Sequence, residues 1–449
     1  MIRFGSALTP IAQFPSHTHK GVTVKPSRRM TAVAAIAGAA AFALIATGCS
    51  AGGSTTPDSS KPITLTLATF NNFGYSDALL AEYHTLNPNV TVVQNKAATS
   101  DAAQTNMFTK LAAGSGLGDI EAVDVDWMPK LRQYGAKFVD LAAADNTGRY
   151  AAWKTSAATT TDGKLIGLGT DIGPEAICYR SDLLAKAGLP TDPDAVTKLL
   201  TGDWDNYYRV GATFAAAKTG AAWFDSAGAT FQGLANQYQN FFEKKDGTVI
   251  ATTNPDVKTS FTKVLAESAT LSSHLTQWSP DWSAGQANGA YATMLCPAWM
   301  LGVIQGNTPK VTDWKIANAF PDGGGNWGGS YLTVPTQGKN TDAAKKFANW
   351  LTAPAQQIAA FKTAGNFPSQ VAAYSNKDLT SATNAFFNNA SIGQIYIDRS
   401  KAVTITPFKG VKYAAVMKVV QDGLTRVETG TQSIDQSWTQ VVSDIKALA

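Results

Sequence analysis

The residues most able to do chemistry are carboxylates and tryptophans, not nucleophiles or metal ligands. Asp124-Val-Asp126 ends an apolar run, Ile120 to Val125, that reads as a strand, and strand alternation puts both carboxylates on one side. There they could bind hydroxyl groups, act as an acid and its partner, or cap a helix starting near Met128. Asp171 and Glu175 flank Gly173-Pro174, where the alternative to a ligand contact is a local hydrogen-bond network. Trp299 follows a predicted strand beside Pro297, and Trp327 stands between Gly325-Asn326 and Gly328-Gly329, a glycine-rich setting that predicts an exposed ring. Core packing is the alternative for Trp299, and a mobile loop for Trp327. Metal chemistry lacks its residues: His17 and His19 lie in the first twenty positions, and neither His84 nor His274 has a second His or Cys at ligand spacing. A serine hydrolase lacks its Gly-x-Ser-x-Gly elbow. The cluster Gly114-Ser-Gly-Leu-Gly118 follows a helical pattern and precedes a strand, the reverse of a phosphate-cradling loop, which excludes a dinucleotide site.

Positioning these groups requires a sizeable scaffold, and 449 residues with 44% hydrophobic and 16% charged side chains suffice for two packed domains. The formal charge of +4 resides in the leader: residues 1 to 48 carry Arg3, Lys20, Lys25, Arg28 and Arg29 and no acid. The remainder sums to −1, which argues against nucleic acid as a partner.

Lys25, Arg28 and Arg29 precede an uncharged stretch from Thr31 to Ala46, and Ala46-Thr47-Gly48-Cys49 closes it, so residues 1 to 48 read as a signal peptide. Cys49 resembles the lipidated cysteine of a bacterial lipobox, although Ala46 stands where leucine is usual; cleavage by ordinary signal peptidase is the alternative. Ser27-Arg28-Arg29 fits part of a twin-arginine signal without its usual sequel, leaving both export routes open, and a start at Val22 or Val24 would shorten the long leader. Residues 49 to 61 then form the cysteine and a flexible tether with no large apolar residue to bury. Outside the cytoplasmic membrane thiols can oxidise, so Cys178 and Cys296 are either a disulfide or two buried thiols.

The coarse pattern is Ile63 to Leu67 as a strand, a helix begun by Ser76, a strand at Val90 to Val93, a helix over 101 to 113 and a strand at Ile120 to Val125. This β-α-β-α-β order opens a doubly wound sheet. Extended segments follow at Ile166 to Thr170, Ala176 to Tyr179, Tyr291 to Leu295 and Gly328 to Pro335. Between Val196 and Ala290 the pattern is mostly helical, with Trp204, Tyr207, Tyr208, Phe214, Trp223, Phe241, Phe242, Trp278 and Trp282 supplying bulky apolar surface that is expected to be mostly core.

Six motifs spread over the mature chain carry a resemblance. They are Thr69-Phe-Asn-Asn-Phe-Gly-Tyr75, Leu111-Ala-Ala-Gly-Ser-Gly-Leu-Gly-Asp119, Gly167-Leu-Gly-Thr-Asp-Ile-Gly-Pro-Glu-Ala-Ile-Cys-Tyr-Arg180, Cys296-Pro-Ala-Trp-Met-Leu-Gly302, Asn326-Trp-Gly-Gly-Ser330 and Asn366-Phe-Pro-Ser369. In this order behind a lipobox, the chain resembles the family 1 extracellular solute-binding proteins of bacterial carbohydrate ABC importers. Within them it looks most like actinobacterial receptors for cellobiose and other cello-oligosaccharides, with xylobiose and chitobiose receptors as near relatives.

The resemblance implies an α/β, two-lobed periplasmic-binding-protein-like fold of type II, each lobe a doubly wound sheet with flanking helices. It implies an N-terminal lobe of residues 62–171 plus 313–362 and a C-terminal lobe of 172–312 plus 363–449. It also implies an oligosaccharide bound between them, permease subunits as partners, a lipid anchor as the only membrane contact, a monomer, and no cofactor or catalysis. A neutral sugar offers hydroxyls and an apolar C–H face, so it needs planar carboxylates and amides and an aromatic platform. The expected contacts are Asn71, Phe73, Asp124, Asp126, Asp171, Trp299, Asn326 and Trp327. An extracellular glycosidase would use similar residues and is the rival of a different class.

Overall fold

The computed structural model describes residues 61–143 and 146–448. The leader, Cys49 and the tether up to Ser60 lie outside the described residues.

Ten strands appear in chain order: β1 (Ile63–Phe70), β2 (Val90–Ala97), β3 (Ile120–Asp124), β4 (Leu168–Gly169), β5 (Asp171–Ile172), β6 (Glu175–Arg180), β7 (Thr293–Pro297), β8 (Trp314–Ala317), β9 (Ser330–Thr333) and β10 (Phe367–Pro368). In β1 the alternation works as its sequence demands, Leu65 and Leu67 pointing into the core while Thr64 and Thr66 stay partly open. The helix Asp77–Leu86 starts where the Ser76 hydroxyl accepts a bond from the Leu79 N–H at 3.2 Å, and it buries Leu79 and Tyr83. Thr99 caps Ser100–Ala113 in the same way, and Gly114, at φ 69°, ends it. β2 runs four residues beyond the apolar pattern, to Ala97, because all eight of its residues pair in register with β1. Its polar end is held by backbone bonds and needs no buried side chain.

The first lobe is a five-stranded sheet in the order β2-β1-β3-β9-β4. β1 is parallel to β2 and β3, whereas β9 inserts antiparallel between β3 and β4. Its core joins Leu67, Ile120, Val123 and Met128 to Tyr331, Leu332 and Phe347. Each such buried side chain contributes roughly 1.5 to 3 kcal/mol.

The second lobe departs from expectation. Its sheet is three antiparallel strands, β7-β6-β8, and not doubly wound. Instead of the β-α-β crossover that makes neighbouring strands parallel, a long excursion of several helices joins β6 to β7, and the two strands pair antiparallel. Ile177, Tyr179, Leu295 and Ala317 face one core, containing Trp204, Tyr207, Trp223 and Phe261. Ala176, Cys178, Met294, Cys296 and Ile316 face another, containing Trp282, Met300, Phe361 and Tyr396. With both faces covered, every residue of β6 and β7 is buried. Cys178 and Cys296 form a disulfide between these strands, with Cα atoms 5.4 Å apart. Because β8 pairs with β6, the return to the first lobe comes later than position 313, the boundary the sequence suggests.

Three chain passages meet between the lobes. β5 pairs with β10, and Pro174 bridges Asn326. Trp327 N–H donates to Gly173 C=O at 2.8 Å, and Glu175 N–H to Gly325 C=O at 3.0 Å. Gly173 is required here, since a Cβ would stand 1.8 Å from the Trp327 carbonyl oxygen.

Candidate functional site

A cavity of about 810 Å³ opens over these passages, between the carboxyl ends of β1 and β3 and the helices of the second lobe. Parallel strands end together, so their loops converge on one edge of the sheet, which brings Asn71, Asn72 and Phe73 beside Asp124 and Asp126. Asn71 takes φ 47°, which asparagine tolerates, and the Asn72 carboxamide accepts the Gly74 N–H at 3.0 Å to complete the turn. Phe73 is mostly core, set edge-on to Phe70 at 5.0 Å, with part of its ring on the cavity.

Neither aspartate caps the following helix. Asp124 Oδ1 accepts the Asp126 N–H at 2.8 Å, Met128–Leu131 has no side-chain cap, and Asp126 forms an ion pair with Lys409. Burial, and then the charge of Asp126, push the Asp124 carboxyl up to about 7. Burial works against the Lys409 ammonium, but Asp126 more than offsets it and holds Lys409 above the usual lysine range.

Asp171 forms the floor. Its Oδ1 accepts Thr170 Oγ1–H at 2.7 Å and the Ser330 N–H at 2.9 Å, while burial raises its pKa against the opposing pull of Lys154. Lys154 lies behind it, enclosed, with Nζ 3.9 Å from the Tyr331 ring centroid and no hydrogen bond among the described residues. Burial lowers its pKa to about 7, although Asp171 and Asp124 favour the charged form.

The opposite wall is aromatic and amide-rich. Trp299 lines the cavity, its indole N–H donating to the Trp327 carbonyl at 2.9 Å. Trp327 stands edge-on to it at 5.6 Å and is only 9% exposed. The exposed ring expected from its glycine-rich setting is thus corrected: the crossovers fold over this segment and leave an edge on the cavity. Asn326 does not reach the cavity. Its Oδ1 accepts the Gly173 N–H at 2.9 Å and its Nδ2 donates to the Gly328 carbonyl at 3.0 Å, so the amide is spent on joining two of the chain passages between the lobes. Glu175 is also absent from the lining: it is fully enclosed, among the described residues its carboxylate accepts a hydrogen bond only from Asn236 Nδ2, at 3.4 Å, and burial pushes its pKa up to about 8.

Trp278, grouped by the sequence with the core aromatics, also lines this cavity, as do Gln277, Gln232 and Asn366, none of which was expected as a ligand contact. Trp278 stacks near Trp299 at 5.9 Å and 24° and is 41% exposed. Its signal was present: Ser279-Pro280 starts the next helix, so Trp278 belongs to a loop and not to an apolar helix face. Gln232 sits within Ala227–Ala235 among apolar residues and offers no such sign.

Residues 78–387 match the family described as bacterial extracellular solute-binding protein. The chain belongs to that family. Family and fold are those of substrate-binding proteins, transport components without a catalytic step. A solved extracellular solute-binding protein of family 1 is 44% identical, with TM-score 0.76 over 86% of this chain and 99% of that one. An ABC-transporter-associated binding protein from B. animalis subsp. lactis Bl-04, solved with β-1,6-galactobiose, has TM-score 0.72 over 86% of this chain and 97% of that one; at 21% identity it shares the fold. The arabinooligosaccharide-binding protein of Bacillus subtilis (strain 168) is 25% identical over 54% of this solute-binding protein, which spans 57% of that relative. No helix among the described residues of this solute-binding protein is long and apolar enough to cross a membrane. Nor do three or more His, Cys, Asp or Glu residues there form a group that could hold a metal.

Proposed function

We propose that this solute-binding protein captures an oligosaccharide in the interlobe cavity, outside the cytoplasmic membrane, and delivers it to the permease of an ABC importer. The carrying observation is the pairing of opposite walls over an acidic floor: Asp124 and Asp126 on one side, Asp171 beneath, Trp278 and Trp299 on the other. Carboxylates accept hydroxyl protons while indole faces cover C–H surface, which together suit a neutral sugar. The relatives named above with arabinooligosaccharides and β-1,6-galactobiose support the ligand class. Within that class we favour β-linked gluco-oligosaccharides of the cellobiose and cellotriose type. Cys49 is the proposed lipid anchor, and the protein acts as a monomer.

Calorimetry of the mature protein against cellobiose, cellotriose, xylobiose, chitobiose and β-1,6-galactobiose tests the reading. Stoichiometric binding of a β-glucan oligomer without turnover is expected; binding confined to another sugar refutes the subtype, turnover favours a glycosidase, and silence across the series refutes the class. A Cys49→Ala variant is expected to leave the membrane fraction or stay unprocessed, and normal processing with membrane retention refutes the anchor.

A further inference from the structure

Asp126 and Lys409 belong to opposite lobes. Asp126 follows β3 of the first sheet, whereas Lys409 lies in residues 403–412, which are fastened to the second lobe. Phe408 N–H donates to the Gln239 carbonyl at 2.7 Å, and the Lys412 N–H reaches Glu243 Oε1 at 3.1 Å. Gly410 packs against the same Glu243 carboxylate, and Tyr413 enters the second-lobe core. Backbone bonds therefore hold this segment in place, and the Lys409 side chain is not needed for that task. It extends instead past the Tyr413 ring, 5.0 Å from its centroid, to the carboxylate on the far wall. Only 9% of the lysine side chain and 22% of the aspartate side chain remain exposed, so water screens the pair weakly.

We infer that Lys409 is a positioning residue of the cleft: it spans the lobes to fix Asp126, so that bringing the walls together and presenting that carboxylate to a ligand are a single event. The inference rests on the cavity being the oligosaccharide site. An ionised carboxylate offers about four lone-pair directions, and one bond to Lys409 leaves the others for hydroxyl groups. When the lobes part, both charges return to water and the bond is lost. The pair is thus a contact made in one arrangement and absent from the other, the kind of differential interaction that can bias a two-state equilibrium. A change in that bias alters the fraction of competent protein and must scale the affinity of every ligand equally. Direct loss of an acceptor, by contrast, falls unequally on sugars with different hydroxyls.

The experiment compares wild type, Lys409→Met, Lys409→Arg, Asp126→Asn and the double variant Asp126→Asn/Lys409→Met as mature proteins. Ligand-free solution scattering and calorimetry with the same sugars are the readouts. Lys409→Met is expected to enlarge the ligand-free radius of gyration and to weaken all accepted sugars by one common factor, roughly tenfold for a charge-assisted bond. Lys409→Arg is expected to recover most of the loss, and the double variant to bind no more weakly than Asp126→Asn. Tighter binding by Lys409→Met overturns the proposal, because it would mean that the lysine competes with the ligand for Asp126. Sugar-dependent factors overturn it as well. If wild type binds none of the sugars, the proposed function fails, but the scattering comparison still decides the clamp: equal ligand-free dimensions for wild type and Lys409→Met refute it.

Discussion

Replacing Glu175 by glutamine removes a proton-binding group from the crossover into β6 while keeping its shape. The carboxyl is fully enclosed; Oε2 meets Asn236 Nδ2 at 3.4 Å, and Oε1 has no hydrogen-bond partner among the described residues. Burial holds its pKa at about 8 in the folded protein, against an ordinary value of 4.5. Between those values the folded state keeps a proton that the unfolded chain releases. Its contribution to stability is complete below 4.5 and is lost as pH rises through about 8, at about 1.4 kcal/mol per pH unit. Integrated over the whole interval the loss has an upper bound of about 5 kcal/mol, and at neutral pH of about 3 kcal/mol. Glutamine cannot ionise, so its stability curve lacks this slope. The assay is urea unfolding of the mature wild type and Glu175→Gln at several values between about pH 5 and about pH 8. The variant is expected to gain on wild type by about 1 kcal/mol for each pH unit. Parallel curves would refute the reasoning, since they would mean that the carboxyl is hydrated or already ionised in the fold.

Trp299→Ala and Trp278→Ala are each expected to weaken all bound oligosaccharides together, by about 0.5 to 1.5 kcal/mol, as read by calorimetry; wild-type affinity in both variants would remove the aromatic wall from the site. Asp171→Asn, which keeps shape but loses charge beside the enclosed Lys154, should lower the pH at which Lys154 takes up a proton, measurable by NMR titration of its side chain. Thiol titration of the unfolded, unreduced mature protein is expected to find no free thiol from Cys178 or Cys296, and replacing both by serine to cost about 4 to 5 kcal/mol in the chain-entropy account. Gly173→Ala is expected to lower the melting temperature steeply, because the added methyl meets a backbone oxygen that cannot move aside.

The alternation of strand and helix from Ile63 to Asp124 was legible because each element is set by residues near in sequence: apolar period, Ser76 as cap and Gly114 as stop, with the Thr99 cap that starts the second helix at Ser100 passed over. Partnership was not. Nothing local in Ser330–Thr333 states that it inserts between β3 and β4, and nothing in Trp314–Ala317 assigns it to the second sheet. The same division runs through the site. Asn71, Phe73, Asp124, Asp126, Asp171, Trp299 and Trp327 all line the cavity, most of them at strand ends or crossovers, where loops converge. Asn326 shares its motif with Trp327 yet turns its amide to Gly173 and Gly328, a choice made by the passing chain and invisible in the motif. Lys409 reads as one more surface lysine until the fold brings it to Asp126.

The insertion of β9 fixes the order in which this protein can mature. A chain emerging from its N-terminus can zip β1, β2 and β3 together early, but the outer edge of β3 then stays open until Ser330–Thr333 arrives, after the second-lobe helices that lie between Ser181 and Asn307. An open strand edge is a template for pairing with another molecule, and late, non-local closure prolongs that exposure. The half-made first sheet is therefore the stage at which a nascent copy is most vulnerable to aggregation, and a chaperone that shields that edge would act there.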